Sequence, residues 1–342
     1  MPLHSLVAPA ATNAARIFAD EQFAHSFIEE GQLVPGAQTR PNLKIQEGCS
    51  NRCTFCVIPQ TRGGSRSLAA DAIIRQIQGF VASGGIELVL SGINLGRWGR
   101  DRTHSGTTPR TLAELVRQIL EATGLLKLRL SSIEPMDWDN DLIALMAEFG
   151  GTRLARHAHL PLQSGSDAVL RRMHRRYRPW HYVEKVESLL EAAGSDLTIG
   201  ADVMAGFPGE TDAEFEETLD FVRALPFGYL HLFPFSPRPA TKGWVLHDEH
   251  PVALKTVEER MQALRNLATE KSRVHRARFV GRPVECISLH TPRALAEQDK
   301  TSALTDNFLP VEVEGRFAAN RLFMVRVTGI NPNGALAAVA SC

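Results

Sequence analysis

Three of the chain's five cysteines fall within eight residues, as Cys49-x3-Cys53-x2-Cys56. Thiolates this close in sequence can ligate three irons of one [4Fe–4S] cube; four cysteines are the usual complement, so the fourth iron stays open to a substrate or cofactor. The competing reading is a Cys3His zinc site, but no histidine lies near the trio, and zinc motifs usually come as two pairs of ligands. Cys286 and Cys342 stand far apart, unlike the even, scattered set of a secreted disulfide framework. The trio reads as a metal site in a reducing compartment.

A second group of residues suggests a polyanionic partner. Arg171, Arg172, Arg175, Arg176 and Arg178 surround His174 and Tyr177 in the densest basic run of the chain. Guanidiniums on phosphates, with an aromatic ring to stack a base, are what an RNA site requires. The alternative is a solvated helix end. Net charge is zero, 38 basic against 38 acidic residues, which excludes a histone-like binder. The balance is local, however: residues 40–180 carry 20 basic against 12 acidic side chains, an excess of eight. No run approaches eighteen apolar residues and the N-terminus lacks a secretory signal, so a cytoplasmic protein with no membrane partner is expected.

These residues need a scaffold, and the hydrophobic pattern predicts one. Short apolar strands are expected over 43–45, 86–90, 126–130, 157–162, 197–204 and 228–233. Amphipathic helices alternate with them over 69–83, 111–122, 141–149, 180–193, 211–224 and 252–276, with a basic helical stretch at 168–176. Thr211 and Glu214 form a capping box ahead of one of these helices. Six strand–helix repeats imply parallel βα units but are too few for a closed eight-fold barrel, so an α/β fold with an open, partial (β/α)6 barrel is expected. Active residues should sit at the C-terminal ends of its strands, and the cysteine trio follows the first. After Phe279 the pattern changes to short strands at 283–289, 310–314, 323–329 and 335–339, which suit a small OB-like β-barrel. The expected division is 1–40 a remnant or linker, 41–278 the core and 279–342 the small barrel.

The segment from Lys44 to Pro59, which contains Glu47-Gly48-Cys49-Ser50-Asn51-Arg52-Cys53-Thr54-Phe55-Cys56, closely resembles the signature of the radical S-adenosylmethionine (SAM) methylthiotransferases. Leu90 to Gly96, Leu160-Pro161-Leu162-Gln163-Ser164-Gly165-Ser166, and Asp202 to Thr211 resemble further motifs of that family, in the same order. Leu130-Ser131-Ser132-Ile133-Glu134-Pro135 and Leu230-His231-Leu232-Phe233-Pro234-Phe235-Ser236 are most similar to the branch acting on N6-threonylcarbamoyladenosine in tRNA.

The resemblance implies one [4Fe–4S] cluster on Cys49, Cys53 and Cys56, with SAM chelating the open iron. It implies methylthiolation at C2 of the modified adenosine at tRNA position 37, with electrons from a separate donor. Gly92, Glu134, Gln163, Ser164, Gly206 and Gly209 become candidate SAM contacts. Arg171, Arg172, Arg175, Arg176 and Tyr177 become candidate tRNA contacts, with the terminal barrel resembling the family's TRAM-like RNA-binding module. The family also carries an N-terminal domain whose own three cysteines hold a second cluster tied to sulfur delivery, and the two cysteines outside the trio cannot supply it. Residues 1–40 are therefore expected to be a remnant of that domain, and a separate chain or lost domain carrying the second cluster becomes a candidate partner. A non-catalytic tRNA-binding remnant and a methylthiotransferase of another substrate branch are the alternatives.

Overall fold

A computed structural model describes residues 39–102 and 108–341. The expectation of a remnant over 1–40 falls almost wholly outside the described residues, as does Cys342. The first half of the core runs β1 (Asn42–Glu47), α1 (Ile58–Thr61), β2 (Arg66–Ser67), α2 (Ala70–Ala82), β3 (Glu87–Gly92), α3 (Leu112–Ala122), β4 (Lys127–Leu130) and α4 (Asn140–Phe149). The second half runs β5 (His157–His159), α5 (Asp167–Arg172), α6 (Pro179–Ala193), β6 (Thr198–Ala205), α7 (Asp212–Ala224), β7 (Phe227–Pro234), α8 (Lys242–Glu249) and α9 (Leu254–Ala277).

The six main strands are parallel and form two sheets, β1-β3-β4 with β2 antiparallel at its edge, and β5-β6-β7. Backbone bonds join the sheets: Leu128 N donates to Arg153 O, and Ile133 N donates to His159 O. The strands read as apolar runs because helices cover their outer faces, and one continuous core from Leu43 to Leu264 lies between. The open (β/α)6 barrel expected from the pattern is the fold observed. The capping box is also present: Thr211 Oγ1 accepts from Glu214 N, and the Glu214 carboxylate accepts from Thr211 N.

The C-terminal segment is a closed five-stranded barrel of β8 (Pro283–Ser288), β9 (Lys300–Thr305), β10 (Pro310–Glu314), β11 (Leu322–Ile330) and β12 (Leu336–Ala340), with α10 (Arg293–Ala296) after β8. β10 and β12 pair parallel and every other pair is antiparallel. The pattern predicted four of these strands. The fifth, β9, is Lys-Thr-Ser-Ala-Leu-Thr, too polar to stand out alone, and its pairing with both β8 and β10 defines it.

This small barrel docks on the N-terminal ends of the core strands. Arg129 on β4 donates to Asp306 O and Thr305 O and pairs with Glu87 at 3.1 Å. Lys127 pairs with Glu285 at 2.7 Å, Arg156 with Asp306 at 2.8 Å, and Arg282 forks onto Asp196 at 2.8 and 2.6 Å. Phe308 lies against His157 and Tyr229, with ring centroids 4.5 and 5.5 Å apart, and Arg129 lies over its ring.

Candidate iron–sulfur and SAM site

The cysteine loop leaves β1 at Gly48, whose φ of +69° and close approach to the Gly63–Gly64 backbone exclude a side chain: a Cβ there would lie 2.1 Å from Gly64 O. Cys49 N donates to Gly63 O at 3.1 Å, and Cys56 N closes a turn onto Cys53 O at 3.1 Å. The middle of the loop is held between two helices. Thr54 N and Oγ1 donate to Met173 O and Arg172 O at the C-terminal end of α5, and Gly243 N in α8 donates to Thr54 O at 2.7 Å. Gln46, fully buried on β1, braces the loop from below through bonds from Nε2 to Glu47 O, Gly48 O and Ser65 Oγ.

All three thiols are half-buried and free of disulfides. Asn51 N and Asn94 Nδ2 each donate to Cys49 Sγ at 3.4 Å, and Arg175 Nη1 donates to Cys53 Sγ at 3.2 Å. Burial pushes the Cys53 thiol up, with Arg175 opposing, and burial also pushes the Cys56 thiol up. Donors aimed at sulfur favour the thiolate that a metal requires. Among the described residues, one trio of potential ligand atoms lies within 4.8 Å of one another, and it is not this one. Three thiols on one short loop, two of them carrying a donor on the sulfur, suit ligands on different irons of a cube. Beside them, Asn94 Oδ1 is buried without a hydrogen-bond partner, an acceptor available to a ligand N–H. The donor set and this orphaned acceptor fit a cluster with a polar ligand beside it.

A polar cavity of about 770 Å³ opens next to the loop. Arg52, Arg97, Arg100, Arg175, Arg176 and Arg178 line it. Arg97, Arg100 and Arg176 converge on Asp137 Oδ1 at 2.9, 3.4 and 3.6 Å, and Arg178 pairs with Asp167 at 3.3 Å. Arg175 pairs with Glu134 Oε2. Counting Asp101 on the wall, six guanidiniums meet four carboxylates, an excess of two positive charges.

Two expected contacts are corrected by burial. The Tyr177 ring is fully buried and its hydroxyl bonds to Pro161 O and Leu162 O at 2.7 Å, so it cannot stack an RNA base. The Ser164 hydroxyl is also fully buried, 2.9 Å from Thr218 Oγ1 and accepting from Ser166 N, so it braces a turn rather than meeting SAM. The basic run does not form one face. α5 ends at Arg172, His174 takes a φ of +59°, and the residues beyond point in different directions. Arg175 turns inward to Cys53 and Glu134, which corrects its expected role on RNA phosphates. Arg172 is bidentate to Glu214 at 2.8 and 2.7 Å, Arg171 is exposed and paired with Asp167, and Arg176 reaches the cavity.

Gly92 is small because Gln46 occupies the space: a Cβ would lie 2.8 Å from Gln46 Cβ. Gln163, at a φ of +65°, bridges to β6 through its backbone. Gly206 and Gly209, in the turn after β6, do not line the arginine cavity. Gly206 is packed under Val257 of α9, and Gly209 N donates to His250 O. Glu134 does reach the site, through Arg175. Sequence reasoning missed Asn94, Gln46, Arg97 and Arg100. The first lay two residues beyond the glycine singled out in the motif from Leu90 to Gly96, which was the available signal.

Thiols after β1, a polar cavity at the C-terminal ends of parallel strands and an open six-strand barrel define the class. Residues 43–222 match the profile of the radical SAM superfamily. The chain belongs to the radical SAM superfamily. Within it, the chain is 34% identical over 278 residues to the threonylcarbamoyladenosine tRNA methylthiotransferase MtaB of Bacillus subtilis, covering 81% of this chain and 60% of that one. It is also 34% identical over 292 residues to the tRNA-2-methylthio-N(6)-dimethylallyladenosine synthase of Cereibacter sphaeroides, covering 85% of this chain and 63% of that one. The chain thus spans about three fifths of the length of these curated relatives. Among solved structures it is similar to methylornithine synthase (PylB), at 16% identity and a TM-score of 0.45 over 68% of this chain and 64% of that one.

Proposed function

We propose that this chain holds an open [4Fe–4S] cluster on Cys49, Cys53 and Cys56, binds SAM beside it, and acts on C2 of N6-threonylcarbamoyladenosine at position 37 of a tRNA in the cytoplasm. When bound, the cluster and SAM supply one-electron chemistry that activates a C–H bond. The chain's own residues supply position and charge. Asn51, Asn94 and Arg175 donate to the sulfurs and orient the loop, Asn94 Oδ1 accepts from the ligand, and Glu134 holds Arg175 in place. The two cysteines outside the trio are fewer than the three clustered ligands that a second cluster needs, so sulfur insertion depends on ligands from a partner chain or domain.

Identity does not choose the substrate branch, since relatives of both kinds match equally well. The observation that favours threonylcarbamoyladenosine is the arginine-lined cavity beside the thiol loop. The threonyl substituent ends in a carboxylate, which guanidiniums bind in a bidentate fork, whereas a dimethylallyl group is apolar and would leave those charges desolvated and unmatched. The test compares anticodon stem-loops carrying each modification for binding to the reconstituted chain. The threonylcarbamoyl form should bind at least about tenfold tighter, a difference of about 1.4 kcal/mol. Equal binding, or preference for the dimethylallyl form, overturns the branch assignment. Release of 5′-deoxyadenosine from SAM by the same sample tests the cluster chemistry separately.

A further inference from the structure

The lumen of the open barrel holds a second set of ligating side chains, on strands that do not carry the cysteines. His159 ends β5, while Asp202 on β6 and His231 on β7 are registered partners across the sheet. His159 Nε2 and His231 Nδ1 each lie 3.3 Å from Asp202 Oδ1, and the three atoms all fall within 4.8 Å of one another. A tetrahedral zinc with ~2.0–2.1 Å bonds to nitrogen and oxygen sets its ligand atoms about 3.3 Å apart.

The state of His159 adds an independent observation. Its side chain is 5% exposed, and its buried Nε2 makes no well-aligned hydrogen bond while facing Asp202 Oδ1 at 3.3 Å. Its other nitrogen, Nδ1, lies 2.6 Å from Ser132 Oγ, which can accept a hydrogen bond from Nδ1–H and leave Nε2 as a lone-pair donor. The ring is held flat by Tyr229, stacked at 5.9 Å and 17°, and by His231 at 5.2 Å. An oriented imidazole whose inward nitrogen faces a carboxylate, with a second imidazole on the same oxygen, is a prepared ligand set. His231 is half exposed, so further coordination positions remain open toward the lumen.

We propose that His159, Asp202 and His231 bind one divalent transition-metal ion of the zinc class in the barrel lumen, separate from the iron–sulfur cluster. Two imidazoles and one carboxylate suit zinc, cobalt(II) or iron(II) better than magnesium or calcium, which favour all-oxygen sites. Three protein ligands leave a position for water or an oxygen of a bound ligand. The inference does not depend on the proposed substrate.

The test uses the full chain with its iron–sulfur cluster reconstituted, so that the thiols are occupied, and zinc as the probe. Equilibrium dialysis against micromolar zinc, read by mass spectrometry, should give one zinc per chain in addition to iron. His231→Ala and Asp202→Asn should each weaken zinc binding at least about tenfold while leaving iron content unchanged. His231 is exposed, so its alanine variant should melt at the parent's temperature without zinc, and zinc should raise the melting temperature of the parent only. No zinc bound by the parent, or parent-like zinc affinity in both variants, overturns the proposal.

Discussion

The two ends of the six-stranded barrel use the same residue, arginine, in opposite ways. At the N-terminal end, Arg129, Arg156 and Arg282 are each matched by a carboxylate, by backbone carbonyls or by both, and Phe308 from the small barrel lies against the lumen rings. At the C-terminal end, guanidiniums outnumber carboxylates, three thiols stand without disulfides and a buried acceptor has no partner. A sealed, charge-matched end costs stability when one partner is removed, because the other is left buried and alone. An open end with excess charge contributes little to stability and much to binding. The difference separates a structural interface from a functional one within a single barrel.

Cys53→Ala is the substitution that should break the open end completely. Iron content should fall below a tenth of the parent's and SAM cleavage should vanish, while the denaturation midpoint of the metal-free chain stays close to the parent's. Retained cleavage would mean the trio is not the ligand set.

At the sealed end the expectation reverses. Arg129→Met removes the nearer of two guanidiniums on buried Glu87, leaving Arg40 at 3.7 Å, together with two carbonyl contacts, and should cost about 1–3 kcal/mol of stability in urea denaturation. Iron content after reconstitution should be unaffected below the unfolding transition. A neutral effect on stability would show that the docked barrel contributes nothing to the core.

Acid should loosen the same sealed end. His275 of α9 is buried against Thr198 Oγ1 at 2.9 Å, and burial, aided by Arg278 and Arg276, lowers its pKa to about 4. The unfolded chain takes up this proton near pH 6.5 while the folded chain refuses it until about pH 4, so the stabilisation is full above pH 6.5 and is lost as pH falls toward 4. The loss should be on the order of 2–3 kcal/mol, and His275→Gln should flatten that part of the stability–pH curve.

The smallest effect is expected at the cavity rim. Arg100→Ala, at a half-exposed side chain, should change stability by less than about 0.5 kcal/mol, yet reduce the salt dependence of stem-loop binding by about one charge. A large stability loss there would contradict the view of this end as binding surface.

Much of this arrangement was legible from residue spacing. Alternating apolar runs marked the six parallel strands, Thr211 and Glu214 marked a helix start, and the clustered cysteines marked the thiol loop. β9 was not legible, because its polar sequence becomes a strand only through two neighbours. Tyr177 among arginines looked like a surface aromatic. A left-handed residue at His174 redirects the chain and buries the ring, a change no periodicity records. The His159–Asp202–His231 trio is likewise assembled by strand register, from residues more than seventy positions apart at the extremes.

Iron and acid-labile sulfide per chain after anaerobic reconstitution test the central claim most directly. The thiol loop predicts about four of each, lost together in Cys53→Ala. Little iron, with zinc or no metal on the three cysteines, would contradict the account of the open end.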